Sequence, residues 1–227
     1  SEAAGKWTAS GHMGMYPQGI RLVHDTWNTV HGERFLLTLL EIAKARHEID
    51  PDRVYSMGFS MGGTGSWFMA GRHPDLLAGA IPAHGVHMAQ TTTGSVKVKT
   101  AAEILAMEHG ILPNVRNLAV YWYTGHDDVN CEPGTYLKGW ELLQELKQGD
   151  PEGYQDLRFK AYEGVAHAFP PGEPQTGMKW ILEKRRSATP ARLVWEYNAE
   201  PQPLRAPDDK LERLPKHWFY NVHCQRP

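Results

Sequence analysis

The spacing of apolar and polar positions changes period several times along the chain, and each change marks an element. From Glu33 to Ile49 the apolar residues Phe35, Leu39, Ile42 and Ile49 recur near helical spacing and predict one long amphipathic helix. Asp50-Pro51-Asp52 then makes a turn, and Val54 to Met57 reads as a short buried strand. A second helix is expected from about Met61 to Arg72, followed by a strand in "LLAGAIPAH". "NLAVYWYTG" is another strand, ended by Gly125, and Tyr136, Trp140 and Leu143 mark a helix that stops at Gly149. "DLRFKAYEG" and a helix carrying Met178, Ile181 and Leu182 close the series. Strands alternating with helices imply βαβ units, hence a mostly parallel sheet inside a three-layer α/β/α sandwich.

After Arg186 the pattern changes. "ARLVWEYN" and "HWFYNVHC" are β-like runs separated by a polar, proline-rich stretch. The expected division is a main domain over residues 1–187 and a short β-like extension over 188–227.

Composition narrows the function classes. Of 227 residues, 41% are hydrophobic and 22% charged, with a formal net charge of -2, an ordinary globular balance. No basic block stands out, which argues against a nucleic-acid or anionic membrane surface as partner. No apolar run approaches the length of a bilayer span. The two cysteines, Cys131 and Cys224, set no disulfide framework; two separate thiols is the simpler reading beside a single bridge. His84 and His87 are closely spaced, but no cysteine or acidic cluster accompanies them. Loop histidines, without a metal, are therefore expected.

The candidate chemistry begins at "DRVYSMGFSMGGTGSWFM", where Ser60 sits in a G-x-S-x-G run formed by Gly58, Ser60 and Gly62. A strand, a sharp turn and a helix in that order lift a serine hydroxyl above the sheet edge. The same turn aims the N–H of Met61 at whatever the serine attacks, with the positive end of a helix behind it. A serine hydroxyl also needs a base, and the base an orienting carboxylate. Two downstream strands end in suitable residues: Gly125 followed by Asp127 and Asp128, and Gly164 followed by His167. All three groups would emerge on one edge of a parallel sheet. From the residues alone, either aspartate serves as the acid.

Three stretches resemble the α/β-hydrolases, in the esterase group that includes polyhydroxybutyrate depolymerases, feruloyl esterases and prolyl-oligopeptidase-like hydrolases. "DPDRVYSMGFSMGG" is similar to the family's nucleophile elbow, "TGHDDVN" to its acid loop and "EGVAHAF" to its histidine loop. "HDTWN", residues 24–28, also resembles a segment that these esterases carry before the first long helix. By order of elements the likeness runs over roughly residues 16–186. It implies Ser60 as nucleophile, His167 as base and Asp128 as acid; by its place after the strand that follows the elbow, His84 is expected to border the substrate pocket, with Trp27 and His87 also as wall or support rather than catalysts. It implies no cofactor, and a small-molecule or polymer ester as substrate. A peptidase of the prolyl-oligopeptidase type and a non-catalytic binding module on the same scaffold are the rival readings.

The resemblance fails at the glycine-rich His-Gly-Gly loop that donates a second oxyanion N–H. "SGHMGMYPQG" has His12 and Gly14 but not that run. The expectation is a strand at about Gly14 to Tyr16. A neighbouring slot beside Val54 to Met57 is then left for an upstream segment or separate chain to fill.

Overall fold

The structure is a computed structural model that describes residues 12–17, 30–85, 112–131, 133–195 and 218–223. Its elements follow in chain order. They are α1 (Val30–Arg46), β1 (Tyr55–Phe59), α2 (Met61–Arg72), β2 (Gly79–Ala83), β3 (Ala119–Gly125), α3 (Pro133–Gly149), β4 (Leu157–Tyr162) and α4 (Glu173–Ile181). Two short strands, β5 (Trp218–Phe219) and β6 (Val222–His223), form an antiparallel pair. Strands β1 to β4 pair in sequence order, all parallel.

A parallel sheet needs cover on both faces, and the side-chain alternation of β3 shows how it is met. Val120 and Trp122 point into one core, with Trp67 and Phe68 of α2, Tyr136 and Leu143 of α3, and Leu36 of α1 packed around them. Tyr121 and Tyr123 point the other way, against Trp180 and Ile181 of α4 and Ile81 of β2. Three helices therefore lie over one face and α4 over the other. Trp67 meets Trp122 edge-on with ring centroids 5.0 Å apart, an arrangement that aromatic quadrupoles favour.

Polar anchors fix the helices to this frame. Glu33 of α1 accepts hydrogen bonds from Arg72 Nε at 2.7 Å and from His73 Nε2 at 2.8 Å, clamping α1 to the end of α2. Glu173, at the start of α4, accepts from the hydroxyls of Tyr121 and Tyr162 and so ties that helix to β3 and β4. Arg116 and the buried end of Asp150 meet through two hydrogen bonds, 2.6 and 3.1 Å long.

Several expectations move. The first helix lies three residues earlier than the periodicity places it, because Ile49 belongs to the turn ahead of Asp50. Residues 12–17 form no strand, which corrects the expectation for Gly14 to Tyr16. Gly14 adds no side chain to pack and Pro17 cannot donate to a ladder, so this apolar stretch lacks what a strand requires. Among the described residues β1 pairs only with β2, and its Met57 is 42% exposed. In the β-like extension, residues 191–195 are irregular, and only the β5–β6 hairpin is regular. Trp195 stacks on Phe219 at 5.0 Å, joining the two runs through their aromatic rings. No helix among the described residues is long and apolar enough to cross a membrane.

Trp67 has zero exposure at the centre of the larger core. Replacing Trp67 by alanine is expected to destabilise the fold by about 3–5 kcal/mol, the range for emptying a buried aromatic site. Denaturant unfolding at constant m-value measures it.

Candidate active site

Ser60 is the single residue between β1 and α2. Its backbone sits at φ 56° and ψ -119°, a conformation costing a non-glycine residue about 1–3 kcal/mol. Neighbouring bonds impose it: the Ser60 N–H donates to the Ala83 carbonyl at 3.0 Å, and the Ser60 carbonyl accepts from the Thr64 N–H at 2.9 Å. The turn closes so tightly that a Cβ on Gly58 would lie 2.0 Å from the Gly62 carbonyl oxygen. That contact is the physical reason for glycine at this point of the run. Met61 begins α2, so its N–H has no acceptor within the helix and stays beside the Ser60 side chain.

The tips of β3 and β4 are joined next. His126 N–H donates to the Tyr162 carbonyl at 2.8 Å and Asp127 N–H to the Val165 carbonyl at 3.0 Å. A Cβ on Gly125 would come within 2.0 Å of that Val165 oxygen, so the two loops approach as closely as backbones can. The approach brings His167 over Asp128. His167 Nδ1 lies 2.8 Å from Asp128 Oδ2, and His167 Nε2 lies 2.8 Å from Ser60 Oγ. An ionised carboxylate only accepts, so Nδ1 carries the proton and Nε2 presents its lone pair to the serine hydroxyl. Asp127 instead faces outward, 3.6 Å from the exposed His126.

Asp128 is fully buried and fully engaged. Its Oδ1 accepts from the N–H groups of Asn130 at 2.9 Å and Cys131 at 3.1 Å. Its Oδ2 accepts from two imidazoles, those of His167 and His84, each at 2.8 Å. Burial works to raise the carboxyl pKa, but the donors on its two oxygens outweigh it and leave the pKa below its ordinary value.

His84 follows β2 with a left-handed backbone, φ 47°, and its side chain has zero exposure. It therefore lines no open pocket; it lies beneath the site, with Phe59 and His167 rings 5.0 and 5.6 Å away. This second imidazole on the acid is what the sequence reading missed, and the only signal was its place after a strand next to the elbow. Trp27, His87 and the segment 24–28 lie outside the described residues.

Donor atoms of His84, Asp128 and His167 lie within 4.8 Å of one another, a spacing that a metal ion accepts, as do those of the exposed His126, Asp127 and Glu163. In the first group Nδ1 of both histidines and Oδ2 are already committed to one another.

With this geometry in hand, the comparisons fall into place. The Dienelactone hydrolase family model matches residues 10–113, just under half of the chain. A search of curated proteins finds no match. Among solved structures, the chain is similar to a thermostable esterase at 24% identity, over 66% of this chain and 36% of that one, with a TM-score of 0.44. Arabidopsis thaliana SOBER1 shares 19% identity over 70% of this chain and 66% of its own, with a TM-score of 0.45. The Bacillus cereus carboxylesterase shares 15% over 68% and 60%, with a TM-score of 0.46. The chain thus spans less than two thirds of the length of each of these three. The parallel sheet with helices on both faces is a three-layer α/β/α sandwich.

The buried His84 carries a pH signature. Burial pushes its pKa below 6.5, overcoming the Asp128 carboxylate that favours the cation. The unfolded chain then binds a proton near pH 6.5 that the folded chain refuses. Stability is therefore expected to be complete above that pH and to decline as pH falls from 6.5 toward the folded pKa. His84→Asn removes this part of the decline. Urea unfolding between pH 7.5 and 5 measures both curves.

Proposed function

We propose that the chain is a serine carboxylic-ester hydrolase working through Ser60, His167 and Asp128. The supporting observation is the unbroken relay from Ser60 Oγ to His167 to the Asp128 carboxylate, with both links at 2.8 Å. His167 Nε2 takes the hydroxyl proton as Ser60 Oγ attacks the ester carbonyl. Negative charge collects on the carbonyl oxygen, where the Met61 N–H and the start of α2 meet it. Asp128 stabilises the imidazolium, which then gives its proton to the departing alcohol. Water, activated by the same imidazole, releases the acyl group from Ser60.

The surroundings favour an accessible ester with an apolar acyl group. His167 keeps 22% of its side chain exposed, so the relay opens directly to solvent. Phe169 is half exposed and packs on Phe59 at 4.4 Å, and Phe59 in turn lies 4.9 Å from the His167 ring. Met61 exposes 67% of its surface on the other side of the serine. Acetyl, feruloyl and polyester substrates fit such a rim. A peptidase and a binding module that has lost catalysis are the readings that the substrate test separates.

Ser60→Ala and His167→Ala are each expected to lower turnover of p-nitrophenyl esters by about 10³-fold or more, because the three side chains act as a unit. A fluorophosphonate probe should label the wild type at Ser60 and leave Ser60→Ala unlabelled. Asp128→Asn should lose about 10⁴-fold, with Asp127→Asn remaining near wild type. Retained activity in Ser60→Ala, or a wild type that neither labels nor hydrolyses any ester, would overturn the proposal. Faster cleavage of peptides than of esters would transfer it to the peptidase reading.

A further inference from the structure

A relay of serine, histidine and aspartate needs one imidazole on the acid, and Asp128 carries two. His84 Nδ1 and His167 Nδ1 both donate to Oδ2, each at 2.8 Å. The backbone of His84 is held from both sides. Its N–H donates to the Tyr123 carbonyl at 2.9 Å, and its carbonyl accepts the Cys131 thiol at 2.9 Å. At its far edge, Nε2 is buried and makes no full hydrogen bond among the described residues, and the Ala168 backbone interacts only weakly with the ring. A buried lone pair without a donor weakens a fold. The strong bond of the ring is the one to Asp128.

We infer that His84 is a positioning residue, whose Nδ1–H fixes the Asp128 carboxylate by sharing the acceptor oxygen that His167 uses. The inference rests on the esterase reading of Ser60, His167 and Asp128. Its first part is geometric. Asn130 and Cys131 hold Oδ1, but Oδ2 otherwise rests only on His167, a ring that must serve the serine, the leaving group and then water. A second donor, buried and immobile, keeps the carboxylate in place while that ring works.

The second part is electrostatic. Each donor on Oδ2 takes a share of the carboxylate charge, so less remains to stabilise the His167 cation. Among the described residues, Asp128 is the one carboxylate in contact with either ring. Cys131, pushed up to about 12 by burial, and Tyr123, also pushed up by burial, stay protonated beside them. Asp127, His126 and Glu163 sit at the exposed loop tips, where water screens them.

Asparagine and leucine test this as a pair. Both have the same branched skeleton and leave the same gap where the far half of the ring was. Only asparagine keeps an N–H at the δ position that Nδ1 occupies. His84→Asn is expected to keep the wild-type acidic limb of the kcat/KM profile. His84→Leu should move that limb upward by about half to one pH unit, with kcat about tenfold lower and KM unchanged. Proton NMR provides a readout that does not depend on turnover. Besides the His73 N–H on Glu33, wild type and Ser60→Ala should each show two far-downfield imidazole N–H resonances from the pair on Asp128, and His84→Leu one. Coincident limbs in wild type and His84→Leu, equal shifts in both variants, or no far-downfield resonance that His84→Leu removes would overturn the inference. Failure of the esterase reading appears differently, as absent wild-type turnover.

Discussion

A single buried carboxylate organises this molecule. Asp128 has no access to water, and a charge in that position survives only if protein groups replace its hydration. Two backbone N–H groups of its own loop and two imidazoles from other strand ends do so. Each donor belongs to a segment that must be in place for the charge to be tolerated. The end of β2, the loop after β3 and the loop after β4 are thereby drawn to one point. Sheet order does the rest, because these are neighbouring parallel strands whose C-terminal ends share an edge.

The same edge explains why Ser60 is strained. Ser60 must leave β1 and enter α2 within one residue, and the left-handed backbone there persists because its N–H and carbonyl are both satisfied. Strain at one residue is supported by hydrogen bonds at two others, Ala83 and Thr64. The site is therefore rigid where it must hold the serine. It is open only at the rim, where Met61 and Phe169 face solvent.

Much of this was legible in the chain because it depends on local rules. The elbow is legible because glycine at 58 answers a backbone collision, and β3 because seven residues from Ala119 to Gly125 are buried on both faces. The two aspartates could not be separated from residues alone, since what distinguishes them is which way a loop turns. His84 was read as pocket-lining because nothing in "IPAHGVH" reveals that its ring points toward a carboxylate 44 residues away. The stretch "HMGMYP" misled in the opposite sense: apolar content suggested a strand where glycine and proline prevent one. Long-range partners and turn directions are what a period of two or 3.6 does not encode.

The Cys131 thiol, aimed at the His84 carbonyl, has a consequence for chemistry on the whole protein. Nucleophilic and oxidisable cysteines are thiolates, and burial with the neighbouring Asp128 charge pushes this one up to about 12. At neutral pH it stays a protonated, enclosed sulfur, a poor target for peroxide or alkylating agents. A sulfur that packs against the backbone of His84 is thus inert by the very burial that shelters the Asp128 carboxylate.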